Sequence, residues 1–84
     1  MLYIVSQKNT IIADLRTISV MDPAHDLEDD GVYKVFVNGI EFAKYQDKKY
    51  PDWIMKEVQK FIHMNGNSCF RLPKDGEDVW NVRP

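Results

Sequence analysis

The side chains in this 84-residue chain that could do chemistry are few and scattered. The densest cluster is acidic. Asp26, Glu28, Asp30 and Gly31 fall at the first, third, fifth and sixth positions of an EF-hand calcium loop. Such a loop closes its coordination with a bidentate glutamate at the twelfth position, which here is Val37. The segment that follows reads as a strand, where an EF-hand needs a helix. Residues 22–30 therefore read as a solvated loop, and no specific calcium site is expected in them. His25 falls in that loop and His63 near the end of a predicted helix, where a protonated imidazole suits the helix dipole. Cys69 is the single cysteine. Beside Phe70 in a predicted strand, it reads as a buried, inert thiol. Ser6, Ser19 and Ser68 lack a nucleophile elbow or a neighbouring base. The glycines stand singly at turns and build no phosphate loop. No catalytic centre, metal or cofactor is expected, and the chain reads as a non-enzyme.

Basic and aromatic side chains offer a second kind of chemistry, the capture of an anion or nucleotide. Lys34, Tyr45 and Arg71 lie on strands or strand ends, and Tyr3 joins them at the start of the chain. Lys56 and Lys60 form a stripe on the helix with His63. These residues are the candidate ligand contacts. The chain carries 11 Lys and Arg against 13 Asp and Glu, a net charge of −2. That balance disfavours nucleic acid, which calls for a strong positive field.

The elements that would position these groups follow from the hydrophobic pattern. Residues 2–5 are β-branched and aromatic and predict a strand. Gln7-Lys8-Asn9 makes a turn, and residues 10–13 pair back as a hairpin. Residues 17–20 alternate, with Ile18 and Val20 on one face. They either continue the second strand past a bend near Asp14-Leu15 or form a short strand of their own. Residues 32–37 and 40–45 flank Asn38-Gly39, the preferred hairpin pair because both residues tolerate positive φ. Ile40, Phe42 and Lys44 should share one face of the second arm. From Asp52 to Met64 the period becomes helical, with Asp47 or Tyr50 as N-cap and Pro51 in the first turn. Asn65-Gly66 stops the helix. Residues 68–72 form a last strand, closed by Pro73. The expected fold is α+β: an antiparallel sheet of about five strands with one α-helix on one face, in ββ-ββ-α-β order. It forms a single domain over residues 1–84, with a core to residue 73 and a C-terminal tail from 74 to 84.

Tyr3-Ile4-Val5-Ser6-Gln7-Lys8 resembles the opening of a group of small uncharacterised proteins of Gram-positive bacteria and their prophages. Ala43-Lys44-Tyr45, Lys56-Glu57-Val58 and Phe70-Arg71-Leu72-Pro73 follow in matching order. The resemblance implies a bacterial or phage origin and carries no activity across.

A chain this short buries only about 60% of the surface its unfolded form exposes, so its core is marginal. A lone cysteine excludes an internal disulfide, which leaves self-association as the expected compensation. On the helix, Ile54, Met55, Val58, Phe61 and Ile62 form a core-facing arc of about 120°. Tyr50, Trp53 and Met64 widen the apolar arc to about 200°. Those three and Trp80 are the candidate interface, or else they cover the sheet edge against the tail through Trp80. No run is apolar for the ~18 residues of a membrane span. The lone thiol and the absence of an export signal point to the cytoplasm, that of the host if the source is viral. The leading expectation is a binding or assembly module whose partner is itself, as a homodimer or larger. The alternatives are a phage inhibitor that binds a host protein or sequesters a signalling nucleotide, and a nucleic-acid-binding regulator.

Overall fold

Leu2-Tyr3-Ile4-Val5 alternates buried and outward side chains, as a strand on the surface of a core must. This first strand, β1 (Leu2–Val5), is central to a three-stranded sheet. The computed structural model describes residues 1–23, 31–63 and 66–80. On one side of β1 lies β2 (Ile12–Asp14), antiparallel, with Val5 opposite Ile12 and Tyr3 opposite Asp14. The bend at Leu15-Arg16 then carries the chain out of this sheet. Residues 17–20 accordingly do not prolong the second strand; β3 (Ile18–Met21) belongs to a second sheet. There it flanks β4 (Tyr33–Val37), with β5 (Ile40–Tyr45) on the other side, all antiparallel. After the helix α1 (Lys49–Ile62), the last strand β6 (Ser68–Arg71) returns to the first sheet and runs parallel to β1.

The α+β class and the order of elements hold, with the helix packed on the sheet layer. The single antiparallel sheet of about five strands resolves into two sheets of three, one containing a parallel pair. Hairpins announce themselves through turn residues, but a parallel pairing across more than sixty residues has no local signature.

The β4–β5 hairpin closes through Asn38 (φ 54°) and Gly39 (φ 82°), the doubly positive-φ turn its sequence predicts. Its second arm is less regular than alternation suggests. Val35 lies opposite Ala43 and Phe36 opposite Glu41, so Phe42 is an extra residue, a β-bulge. The bulge turns both Phe42 and Ala43 inward, and Phe42 therefore parts from the exposed Ile40 and Lys44.

Helix α1 begins earlier than its apolar spacing indicates. Lys48 occupies the N-cap without a side-chain bond, while Asp47 still accepts from the Lys49 N–H at 2.9 Å. Pro51 falls in the first turn, where a backbone N–H would have no intrahelical partner. The buried face is Tyr50, Pro51, Ile54 and Val58, with Phe61 half-buried. Ile62, expected in the core arc, is exposed, and Tyr50, expected outside it, is buried. The helix is rotated toward Tyr50 because that ring stacks on Tyr45 at 5.1 Å and its hydroxyl donates to the Glu77 carbonyl at 2.6 Å. Ile4, Val35, Val37, Ile54 and Leu72 form the fully buried centre. Each such side chain contributes about 1.5–3 kcal/mol by leaving water. The described part of the expected tail, residues 74–80, belongs to this body: Val79 is buried and Trp80 lies 5.3 Å from the Tyr50 ring.

Candidate functional site

The residues expected to bind an anion do not converge. The Tyr45 ring is fully buried, and its hydroxyl donates to the Pro73 carbonyl at 2.6 Å. Burial, and after it the nearby Asp75 and Glu77 carboxylates, hold that phenol's pKa above its ordinary value. Arg71 pairs with Glu77 at 3.3 Å and Lys60 with Glu57 at 3.5 Å. Lys56 is exposed on the helix, and Lys34 lies on β4 opposite Lys44. Ser6, whose hydroxyl had no role in the sequence, accepts from the Thr10 and Ile11 N–H groups at 3.0 and 3.1 Å and holds the first turn.

The aromatic candidates for an interface pack on one another within the chain. Trp53 is half-buried, 5.7 Å from Phe70 and 6.0 Å from Trp80, and Phe61 packs 5.6 Å from Phe70 from about two turns further along the helix. Lys49 lies 5.2 Å over the Trp80 ring. Tyr50 is a core residue, Trp80 is partly exposed, and Met64 lies outside the described residues. Phe70 and Trp80 thus give Trp53 a burial site within its own chain. His25 and most of the acidic loop also lie outside the described residues. Among the described residues, no group of His, Cys, Asp and Glu could hold a metal ion. No described helix is long and apolar enough to cross a membrane. Cys69 is not buried; it is exposed on the outer face of the first sheet beside Tyr3, because β1 turns Leu2 and Ile4 to the core and Tyr3 away from it.

The edges of the sheets carry what the sequence search missed. A strand edge presents unpaired N–H and C=O groups and is a template for another chain unless blocked. The outer edge of β5 is blocked by Gln7. Its backbone N–H donates to the Phe42 carbonyl at 2.9 Å, its Nε2 donates to the Lys44 carbonyl at 2.9 Å, and its Oε1 accepts from the Lys44 N–H at 3.1 Å. One side-chain amide thus imitates a strand residue and joins the two sheets. Asn38 ties them at the other end. Its Nδ2 donates to the Asp14 carbonyl at 2.8 Å, and its Oδ1 accepts from the Arg16 and Thr17 N–H groups at 2.9 and 3.1 Å. In the first sheet, β2 is three residues long and held at its end by Asn38, and β6 ends in the Arg71–Glu77 pair just before Pro73.

Among the described residues, the outer edge of β3 has none of these devices. Thr17-Ile18-Ser19-Val20-Met21 contains no charge and no proline. Among the described residues, no strand pairs with it on the side away from β4. Ile18 and Val20 are half-buried toward the core, and Ser19 and Met21 are exposed on the other face. Compared with protein families, curated proteins and solved structures, the chain matches none of them. The site therefore rests on its own geometry. That geometry offers recognition by backbone pairing, with Ile18 and Val20 as its apolar contacts. Asn38-Gly39 and Gln7-Lys8-Asn9 mark the tethering residues as turn positions, but which strand would stand at an edge has no signal in the sequence.

Proposed function

We propose that the protein is a small non-enzymatic binding and assembly module that works by self-association. The observation that supports this reading is the edge of β3, uncharged and unpaired among the described residues, beside other sheet edges that are sealed, short or charged. The engagement of Tyr45, Arg71 and Ser6 in contacts that hold the fold also favours a module over a catalyst. An exposed free thiol suits a reducing compartment, which supports a cytoplasmic location. The resemblance of its opening to small Gram-positive and prophage proteins supports a bacterial or phage source. Sedimentation equilibrium of the wild-type protein across a wide concentration range tests the reading. The expected result is a reversible rise in mass from one chain to a defined oligomer. A single-chain mass at every concentration overturns it.

A further inference from the structure

We infer that the partner of the β3 edge is β3 of a second copy, paired antiparallel about a two-fold axis at Ser19. The inference rests on the self-association reading and specifies its surface and register. The Asn38 N–H donates to the Thr17 carbonyl at 2.9 Å. In an antiparallel ladder, residues alternate in the direction of their backbone polar groups. Thr17, Ser19 and Met21 therefore turn theirs toward β4, while Ile18 and Val20 turn theirs to the open edge. A register centred on Ser19 sets Ile18 of one copy opposite Val20 of the other, twice. All four outward N–H and C=O pairs of the two strands are then matched. The half-buried Ile18 and Val20 side chains meet on the core side, and Thr17 meets Met21 on the outer side.

Charge selects the same register. Centring on Ser19 brings Arg16 of each copy abreast of Asp22 of the other, at both ends of the pairing. Both residues are exposed, and the Arg16 side chain has a 3.6 Å contact with Asp14 to leave or share. Moving the centre to Ile18 would instead set Arg16 against Val20 and leave it no opposite charge. The interface is small, in the class of weak and reversible contacts below about 1,200 Å². It extends the second sheet from three strands to six across the dimer. A two-fold contact of this kind closes on itself, so it stops at the dimer.

Charge reversal tests the register. Arg16→Asp and Asp22→Arg each replace the two attractive pairs with repulsive ones and should weaken the dimer roughly tenfold. The double variant restores the attraction and should recover association to within about twofold of wild type. Circular dichroism confirms that each variant is folded. A second measurement stands apart from charge. In the Cys69→Ser background, Ser19→Cys places two thiols across a non-hydrogen-bonded pair, about 4.5 Å apart at Cα, within disulfide range. Mild oxidation should convert the folded protein to a covalent dimer. A wild type that sediments as a monomer overturns both the proposed function and this register. A wild type that dimerises, with no cross-link at position 19 and no rescue in the double variant, overturns the register and leaves self-association standing.

Discussion

The two edges of the second sheet carry the same backbone chemistry and have opposite fates. On β5 the side chain of Gln7 enters the ladder and satisfies both polar groups of Lys44. On β3 the corresponding groups of Ile18 and Val20 have no strand beside them among the described residues. The difference is one of chain geometry. The first hairpin ends at Gln7, next to β5, so the edge nearer the first sheet becomes a joint between sheets. The bend at Leu15-Arg16 throws β3 to the far side, beyond the reach of Gln7. A sealed edge contributes to the stability of one chain. An open edge has its consequence only at the concentration where chains meet.

The largest expected effect comes from removing the tether these edges share. Asn38→Ala deletes three side-chain hydrogen bonds and leaves a β-carbon-bearing residue without local support at φ 54°. The expected cost is about 2–4 kcal/mol, read from the urea midpoint. Asn38→Asp keeps the acceptor and the tolerance of positive φ, but loses the donation to Asp14 and sets a carboxylate oxygen near that carbonyl. It should cost about 1 kcal/mol. Equal effects from the two substitutions would show that the tether is not what holds the sheets together.

Gln7→Ala comes next and acts on the sealed edge alone. It removes the two bonds to Lys44 while keeping the backbone bond to Phe42, and should cost about 1–2 kcal/mol. It also exposes a second open edge, so the variant should associate beyond a dimer at high concentration. A Gln7→Ala protein that sediments like wild type would remove the contrast between the two edges.

How far these contacts were legible in the sequence depended on their range. The β4–β5 hairpin follows from Asn38-Gly39 because both positive-φ positions are adjacent in the chain. The helix was visible in its period, but its rotation was set by Tyr45 and by Glu77, 27 residues from Tyr50. The bulge at Phe42 was hidden because an inserted residue leaves a run of alternating types looking regular. Gln7 read as a turn residue, and its role depends on Lys44 lying 37 positions away. Cys69 read as buried because the outer face of the first sheet bears Tyr3, Val5 and Ile12 where polar residues are usual, so polarity did not say which face was in.

Tyr45→Phe tests the seam between the body and residues 73–80. Loss of the hydroxyl leaves the Pro73 carbonyl without its donor, at a cost of about 1–2 kcal/mol near neutral pH. The pH dependence adds a signature. The native phenol's pKa is raised, first by burial and then by Asp75 and Glu77. Below the unfolded value of about 10 both states keep the proton, and the contribution is fully present. Above it the unfolded chain releases the proton while the native chain retains it, so stability falls as pH rises. The Phe variant should lose part of that alkaline decline. Identical slopes between pH 9 and 11 would mean that the phenol titrates alike in both states.

The smallest effect separates the β3 edge from the other exposed surface, the outer face of the first sheet. Cys69 is exposed there beside Tyr3, on a strand that takes no part in the proposed pairing. A maleimide should therefore label it completely in the folded protein, whereas a buried thiol would react only as the chain opens. Cys69→Ser should shift stability by no more than about 0.5 kcal/mol, since the side chain has little to lose by staying in water. The added bulk of the label matters more than its chemistry. If copies meet through β3, the labelled protein keeps the wild-type sedimentation profile. If they meet through Tyr3, Val5 and Ile12, the label stands in the contact and labelled chains run as monomers. The second outcome would transfer the interface from the edge of one sheet to the face of the other.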